Sequence, residues 1–462
     1  MSEKLPQIMD KLLEINGIVN GIVWGPPMLI LIVGTGLILT IGLGFIQLRK
    51  FSYVMKNTLF KMFEKQQRGE GEVTPFQALA TALAATVGTG NIAGVATAIA
   101  TGGPGAVFWM LVSAFVGMAT KFGEVVLAVH FRERKPDGSF AGGPMYYLEK
   151  GLKIKVLAVL FALFGAIAAF GIGNMVQANS VAASLDATFG IPKLYTGIAL
   201  AIMTALVILG GLKRLAIVTE KLVPFMAAFY IVGSVIILLL NISRLPSAIA
   251  MIISQAFTGS AAIGGFAGST VMMAMKYGVA RGVFSNEAGL GSAPIAHAAA
   301  TTDHPVRQGL WGIFEVFMDT IVICSLTSLT ILTTGVWTQV DAAGEQLTGA
   351  ALTTAAFNQG LPGPGGIIVA IGILLFAFST LLSWSYYGEK SAEYLFGVGV
   401  KIIYRIIFIP FVVIGAVGGL ETLWDLADTL NGLMAVPNLI GLIGLRGIIF
   451  KLTREFFEKE GA

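Results

Sequence analysis

Long apolar stretches separated by short polar segments organise the chain. They fall near 26–46, 76–101, 105–130, 154–184, 194–212, 219–241, 307–335, 364–387, 400–420 and 424–446, with one longer region from 250 to 300. A helix needs about 20 apolar residues, at about 1.5 Å each, to cross roughly 30 Å of hydrocarbon. Each stretch therefore predicts a membrane-spanning helix. The expected fold class is an all-α polytopic membrane protein with about eleven transmembrane helices. Ahead of the first span, MSEKLPQIMDKLLEINGIV alternates polar and apolar positions at helical spacing. It predicts an amphipathic helix on the membrane surface, with no cleavable signal.

Composition agrees with this pattern. Of 462 residues, 55% are hydrophobic and only 12% are charged, and the mean hydropathy is +0.82; these values exclude an ordinary soluble enzyme. The net charge is +4, and where the charges lie says more than their sum. Arg49, Lys50, Lys56, Lys61, Lys65 and Arg68 follow the first span, and Arg132, Arg134 and Lys135 follow the third. Lys213, Arg214, Lys221, Arg307, Lys390, Lys401, Arg446, Lys451 and Arg454 continue the series. All share one side if the N-terminus is outside and the C-terminus is cytoplasmic, which the positive-inside rule favours. Arg244, Lys276 and Arg281 are the exceptions. Basic runs with interleaved aromatics are absent, so no nucleic-acid partner is expected. Cys324 is the single cysteine, which excludes an intrachain disulfide.

Two spans carry glycine-rich interruptions. The second contains Gly88-Thr89-Gly90, and each glycine weakens a helix by about 1 kcal/mol relative to alanine. Unwound backbone at membrane depth survives only where protein or a cavity satisfies it. Close helix packing through small residues would use the same residue types. A second copy favours the interruption: GTGNIAGVATAIATGGP at 88–104 matches GLGSAPIAHAAATTDHP at 289–305, setting Gly88 on Gly289, Gly90 on Gly291 and Pro104 on Pro305. The offset fits two units of five spans, the second inverted, and paired interrupted helices point to a transporter binding site. The expected units are 1–70 (surface helix, extra span and basic segment), 74–242 and 243–446 (the two repeats) and 447–462 (a tail). Residues 246–272 then form an outer interfacial segment. The rival parsing makes 260–281, with Gly264-Gly265, an ordinary span and leaves 282–306 outside the membrane.

The strings GTGNIAGVATAIATGGPGAVFWMLVSAFVGMATKFGE at 88–124 and RGVFSNEAGLGSAPIAHAAA at 281–300 resemble the alanine/glycine:cation symporter family, over nearly the whole chain. The resemblance implies a LeuT-like fold of ten core helices, a 5+5 inverted repeat, here with one extra N-terminal helix. It implies sodium-coupled uptake of alanine and glycine across the cell membrane, with Na+ as the coupling ion and no organic cofactor. A chain working as a monomer is expected.

A zwitterion at mid-membrane needs N–H donors for its carboxylate. The half-helix after Gly88-Thr89-Gly90 offers those of Thr89 and Gly90 at its positive end. Carbonyls near Glu287-Ala288-Gly289 suit the ammonium, and Gly289 and Gly291 line the second break. Sodium takes oxygen ligands. Family geometry implies the carbonyls of Ala84, Val87 and Phe376 with the hydroxyls of Ser379 and Thr380, although such hydroxyls also bond the carbonyl one turn back. Asn91 and Thr86 are candidates for a second cation site. In the family the third core helix faces substrate; here it carries Phe170 and Asn174, while Trp384 lies one turn beyond Thr380, placed to cap the pocket. Aromatic packing explains such positions equally well.

Intramembrane ionisable residues are costly. Lys121 and Glu124 have the spacing of a packing ion pair. Glu287, Glu315 and Asp319 are candidates to carry a proton or assist the cation, and Arg281 with Asp425 or Asp428 is a candidate outer gate. The alternatives are a proton-coupled transporter and a channel. Thr86–Gly90 superficially matches the TVGYG filter, but that filter belongs to a pore loop repeated in four subunits. HExxH, G-x-S-x-G and phosphate-loop motifs are absent, and His130, His297 and His304 lack a metal spacing, so no enzyme is expected.

Overall fold

The computed structural model describes residues 4–62, 64, 69–261, 263–264, 266–418 and 421–461. Lys65 and Arg68 of the basic segment, Gly265 of the rival span, and Met1–Glu3 of the surface helix lie outside the described residues. The chain is built from helices, with one two-stranded ribbon, β1 (Glu133–Arg134) and β2 (Phe140–Ala141).

Besides the short helices Ile46–Arg49, Phe51–Asn57 and Pro144–Lys150, the helices are α1 (Lys4–Val23), α2 (Pro26–Gly42), α3 (Pro75–Thr86), α4 (Gly90–Gly102), α5 (Gly105–His130), α6 (Lys155–Phe189), α7 (Lys193–Ile208) and α8 (Gly211–Leu240). They continue as α9 (Leu245–Thr258), α10 (Val271–Asn286), α11 (Pro294–His297), α12 (Pro305–Thr334), α13 (Gly349–Gly360), α14 (Gly365–Phe396), α15 (Val400–Val417) and α16 (Glu421–Glu460). Among the described residues, eight helical segments are long and apolar enough to cross a membrane, and α3 with α4 form one more span bent by 50°. Peripheral helices turn Ile198, Ile202, Leu206, Ile403 and Ile407 outward, as a lipid-facing surface requires. Their inner faces, with most of α5, close a large core and a smaller second cluster, and α5 contributes to both.

Local chemistry sets the ends of the broken span. Pro75 occupies the first turn of α3, and Thr74 and Gln77 bond each other's backbone N–H in a capping box. These groups satisfy donors that a helix start leaves open. At the far end, Gly103 has φ +70 and touches Ser260, a conformation that side-chain-bearing residues rarely adopt. Segments Gly90–Gly94, Gly171–Met175 and Phe317–Cys324 are wound as π-helix; such segments mark functional sites in many helices.

The long apolar region near 250–300 resolves into α9, an irregular stretch and α10. Gly259, Gly264 and Gly268 all have positive φ, so no continuous helix runs through 260–281. The segment expected to be interfacial, 246–272, begins with α9, where the Trp109 indole N–H donates to the Ala256 carbonyl (3.1 Å). In the segment expected as a tail, α16 continues as far as Glu460. Phe456 is buried there, Phe457 meets Tyr53 edge to face, and Glu460 pairs with Arg307 at 2.9 Å.

Arg132 ties the start of the first broken span to the end of the second. Its guanidinium donates to the carbonyls of Ala298 (3.0 Å), Ala300 (2.7 Å) and Glu70 (2.6 Å). Beside it, Glu72 N–H donates to Ala299 O and Thr301 N–H donates to Val73 O, each at 2.8 Å. Hydrogen bonds to charged groups contribute about 1.5–3 kcal/mol each. Arg132→Ala should therefore lower the stability of the purified protein by about 2–4 kcal/mol. Arg132→Lys, a point charge without the fork, should recover only part of it. Thermal unfolding in detergent checks this; an unchanged midpoint for the alanine variant contradicts it.

Candidate functional site

The break between α3 and α4 spans Val87–Thr89. The Gly88 N–H donates to Asn91 Oδ1 (2.9 Å) and to Thr86 O (2.9 Å), so Asn91 caps the gap with its own side chain. Thr89 and Gly90 open the next helical segment, where N–H groups have no intrahelical acceptor. The Thr89 hydroxyl bonds Gln177 Oε1 of α6 (3.2 Å). The second break runs from Glu287 to Ala293, between α10 and α11. Glu287 has φ 55, a left-handed conformation, and Gly289 and Gly291 also have positive φ.

The helical segments that flank the two breaks meet. A Cβ added at Gly90 would lie 3.4 Å from Ser285 Cα and 3.5 Å from Phe284. Asp319, in the π-helical turn of α12, is bonded to both sides. Its Oδ1 accepts from Asn91 Nδ2 (2.7 Å), and its Oδ2 accepts from the hydroxyls of Ser285 (2.9 Å) and Thr320 (2.7 Å). Asn286 Nδ2 donates to Thr320 Oγ1 (3.1 Å), and Asn286 Oδ1 accepts the Ala288 N–H (2.9 Å). Asp319, Asn91, Ser285, Asn286 and Thr320 are all fully or almost fully buried. A buried carboxylate is tolerated only when paired and hydrogen-bonded.

A cluster of oxygens lies where α14 crosses α3. Ser379 Oγ donates to the carbonyls of Ala84 (3.0 Å) and Phe376 (2.8 Å), and Thr380 Oγ1 to those of Ala85 (3.2 Å) and Phe376 (3.0 Å). Ala84, Phe376, Ser379 and Thr380 thus come together. Val87 precedes Gly88, where an added Cβ would lie 2.6 Å from Thr380 Oγ1. The donor set is all oxygen, which suits hard cations rather than soft ones. The back-bonding to Phe376 is also present, so the hydroxyls join both helices.

Other candidates are placed differently from expectation. Phe170 packs on Tyr404, Phe408 and Phe411 of α15, and Asn174 Nδ2 donates to Phe408 O (2.8 Å). These two face α15, not the breaks. The face of α6 that meets the site carries Gly173, against Trp384, and Gln177, against Thr89. Trp384 is an anchor: its indole N–H donates to Glu287 Oε1 (3.0 Å). Gly289 and Gly291 do not reach Thr89–Gly90. Gly289 gives its N–H to Glu124 (3.0 Å) and its carbonyl to Asn438 (2.8 Å), and Gly291 packs on Pro144, Asn438 and Phe161. The end of α10, at Phe284 and Ser285, is what lies against Gly90. The Thr86 hydroxyl turns back to Ala82 and Leu83.

Lys121 pairs with Glu315 (3.4 Å), not with Glu124, and His297 bonds the other oxygen of Glu315 (2.9 Å). Arg281 and Asp428 share a cleft of about 220 Å3 with Trp24 and Lys276, while Asp428 takes its hydrogen bond from Asn20 (2.9 Å). Asp425 lies outside the cleft lining. Sequence reasoning missed Ser285, Gln177 and Asn438. Their one signal was a polar side chain within an apolar span.

Comparison with known proteins agrees with the geometry. A family model described as the sodium:alanine symporter family matches residues 9–462. The sodium/alanine symporter AgcS of Methanococcus maripaludis is 52% identical, covering 95% of this chain and 96% of that one. An uncharacterized transporter of Haemophilus influenzae is 51% identical, covering 96% and 95%. Among solved structures, a Na+-coupled sialic acid symporter in a substrate-bound outward-open state has a TM-score of 0.54 at 15% identity, covering 92% of this chain and 86% of that one. At that identity the likeness shows a shared fold.

Gly88 offers a direct check of the α3–α14 contact. Gly88→Ala should cost about 1–3 kcal/mol through overpacking against Thr380. In a Thr380→Ala background the hydroxyl is gone, so the same substitution should cost clearly less. A double-mutant cycle on thermal stability reads the coupling; strictly additive costs contradict the contact.

Proposed function

The chain belongs to the sodium:alanine symporter family, and we propose that it takes up small neutral amino acids, alanine and glycine, coupled to Na+ by alternating access. It is a multi-pass membrane transporter, not an enzyme. The finer reading places it in the cell membrane as a monomer. It has eleven spans, arranged as five plus five inverted with one extra at the N-terminus, which is outside; the C-terminus is cytoplasmic. The observation that carries the proposal is the meeting of two interrupted helices at Gly90 and Ser285, joined by Asp319.

The substrate carboxylate is received by the N–H groups of Thr89 and Gly90, where the helix start supplies donors and positive potential. The ammonium is received by the free carbonyls at the end of α10, around Phe284–Asn286. Gly90 lies close against Ser285, where an added Cβ would already be in contact, so binding requires the two segments to part and leaves space for only a small side chain. The Thr89 hydroxyl and Gln177 border the same space. One sodium ion is held by Ala84, Val87 and Phe376 carbonyls with Ser379 and Thr380. It ties α3 to α14, so its binding favours one arrangement of the broken helix over the other. A second cation is held by Asp319 with Asn91 and Ser285. There a positive ion compensates a buried carboxylate that otherwise has only neutral donors.

The Arg132 contacts make the half-helices at the basic face one moving unit. Gln77 Nε2, donating to Glu220 Oε2 at 2.8 Å, and Thr81 against Thr219 at 3.2 Å join that unit to α8. These short polar contacts part when the site opens to that face.

Uptake of labelled alanine into proteoliposomes under an imposed sodium gradient tests the proposal. Saturable, sodium-dependent accumulation is expected; ohmic flux, or accumulation indifferent to sodium, overturns it. Thr380→Ala should weaken sodium activation about tenfold, equivalent to about 1.4 kcal/mol. Asp319→Asn should keep the hydrogen bonds and lose the charge, lowering the steepness of the sodium dependence. Wild-type sodium curves for both variants contradict the assignments.

A further inference from the structure

Beside the second break, the bundle interior buries more negative than positive charge. Lys121, Glu124, Glu315 and His297 are fully buried, and Glu287 is 3% exposed. Lys121 supplies the one ammonium among these groups. It faces Glu315 Oε1 at 3.4 Å, and His297 Nε2 meets Glu315 Oε2 at 2.9 Å. The other imidazole nitrogen, Nδ1, lies 2.8 Å from the Gln308 side-chain amide nitrogen. An amide N–H donating to Nδ1 makes the imidazole neutral, with its own Nε2–H donated to Glu315. The Lys121–Glu315 pair is then balanced, and Glu124 and Glu287 are left with no cation of their own. Even a charged imidazole would leave three carboxylates facing two cations.

The hydrogen bonds say which carboxyl differs. Both oxygens of Glu287 accept: Oε1 from the Trp384 indole and Oε2 from the Ser292 hydroxyl. Glu124 is lopsided. Its Oε1 accepts two donors, the Gly289 N–H (3.0 Å) and Asn438 Nδ2 (2.6 Å), while its buried Oε2 has no hydrogen-bond partner. Oε1 uses its two lone pairs on two donors, as a carbonyl oxygen does, and Oε2 has no donor, which a protonated oxygen does not need; its O–H has no protein acceptor in this state. A carboxylate with one naked oxygen in this interior would be far less favourable. The groups that face it are Lys121 on its own helix, Glu315 of α12, and Tyr147, whose hydroxyl donates to Asn438 Oδ1.

We infer that Glu124 is a proton-binding site attached to the second helix break, holding a proton on Oε2 at neutral pH in the state seen here. The proton leaves Gly289 N–H with a neutral hydrogen bond; its loss would make that bond charge-assisted and hold the break more firmly. The inference concerns the same break as the transport site but rests only on its buried charges. It therefore stands or falls independently of sodium-driven uptake.

Infrared spectroscopy of the purified full chain in lipid, with and without carbon-13 glutamate, tests it. A protonated buried carboxyl gives a C=O stretch apart from the amide bands, and isotope labelling assigns it to glutamate. The expected band is lost in Glu124→Gln, kept in Glu287→Gln, and shifted in Asn438→Leu, which removes one donor to Oε1. Absence of the band, its survival in Glu124→Gln, or its loss in Glu287→Gln overturns the inference. Should Glu124→Gln not fold, the Asn438→Leu spectrum decides, and an unshifted band there overturns it.

Discussion

One buried carboxylate, Asp319, holds two interrupted helices in register. Its oxygens receive Asn91 from one break and Ser285 from the end of the other. Asn91 in turn accepts the Gly88 N–H that unwinding exposes. Unpaired backbone at this depth costs several kcal/mol per group, so the unwound segments persist because side chains answer their exposed donors and acceptors. Every donor around Asp319 is neutral, however. The arrangement answers the geometry of the breaks, and in the proposed mechanism a bound cation meets the Asp319 carboxylate, which ties ion binding to the broken helices.

Around this centre the fold divides its labour. Helix α14 crosses α3 through Ser379 and Thr380, and reaches the second break through Trp384 and Glu287. It therefore touches both interruptions from one rigid element. Asn438 of α16 and Glu124 of α5 grip Gly289 by its carbonyl and its N–H. The second break is thus the more firmly held, and the first, bonded mainly through Asn91, Thr89 and Thr380, is the one with fewer ties.

Much of this was legible in the sequence, for reasons of physics. Apolar length marked the spans, and Gly88-Thr89-Gly90 marked a break because glycine pairs are poor helix formers in lipid. The same holds for Glu287–Gly291, although its end of the α10 helix lies earlier than the glycines suggested. Ser379 and Thr380 stood out as hydroxyls in an apolar run. What stayed hidden depends on rotation and distance. A π-helical turn at Gly171–Met175 shifts the face of α6, so Gln177 meets Thr89 while Phe170 and Asn174 turn to α15. Lys121 was within one turn of Glu124, yet its partner is Glu315, brought by a helix nearly two hundred residues away. No spacing rule shows such a pairing. Asp319 was visible as a costly intramembrane charge, but its bridging role needed Asn91 and Ser285 in place.

A structure of the full chain with alanine and sodium bound tests the central claim most directly. Density for the zwitterion between Thr89–Gly90 and the end of α10, with an ion beside Asp319, is the expected result. Alanine bound elsewhere, such as in the charged cavity of about 700 Å3 beside Lys401 and Arg405, with the two breaks dry and filled by protein, would contradict it.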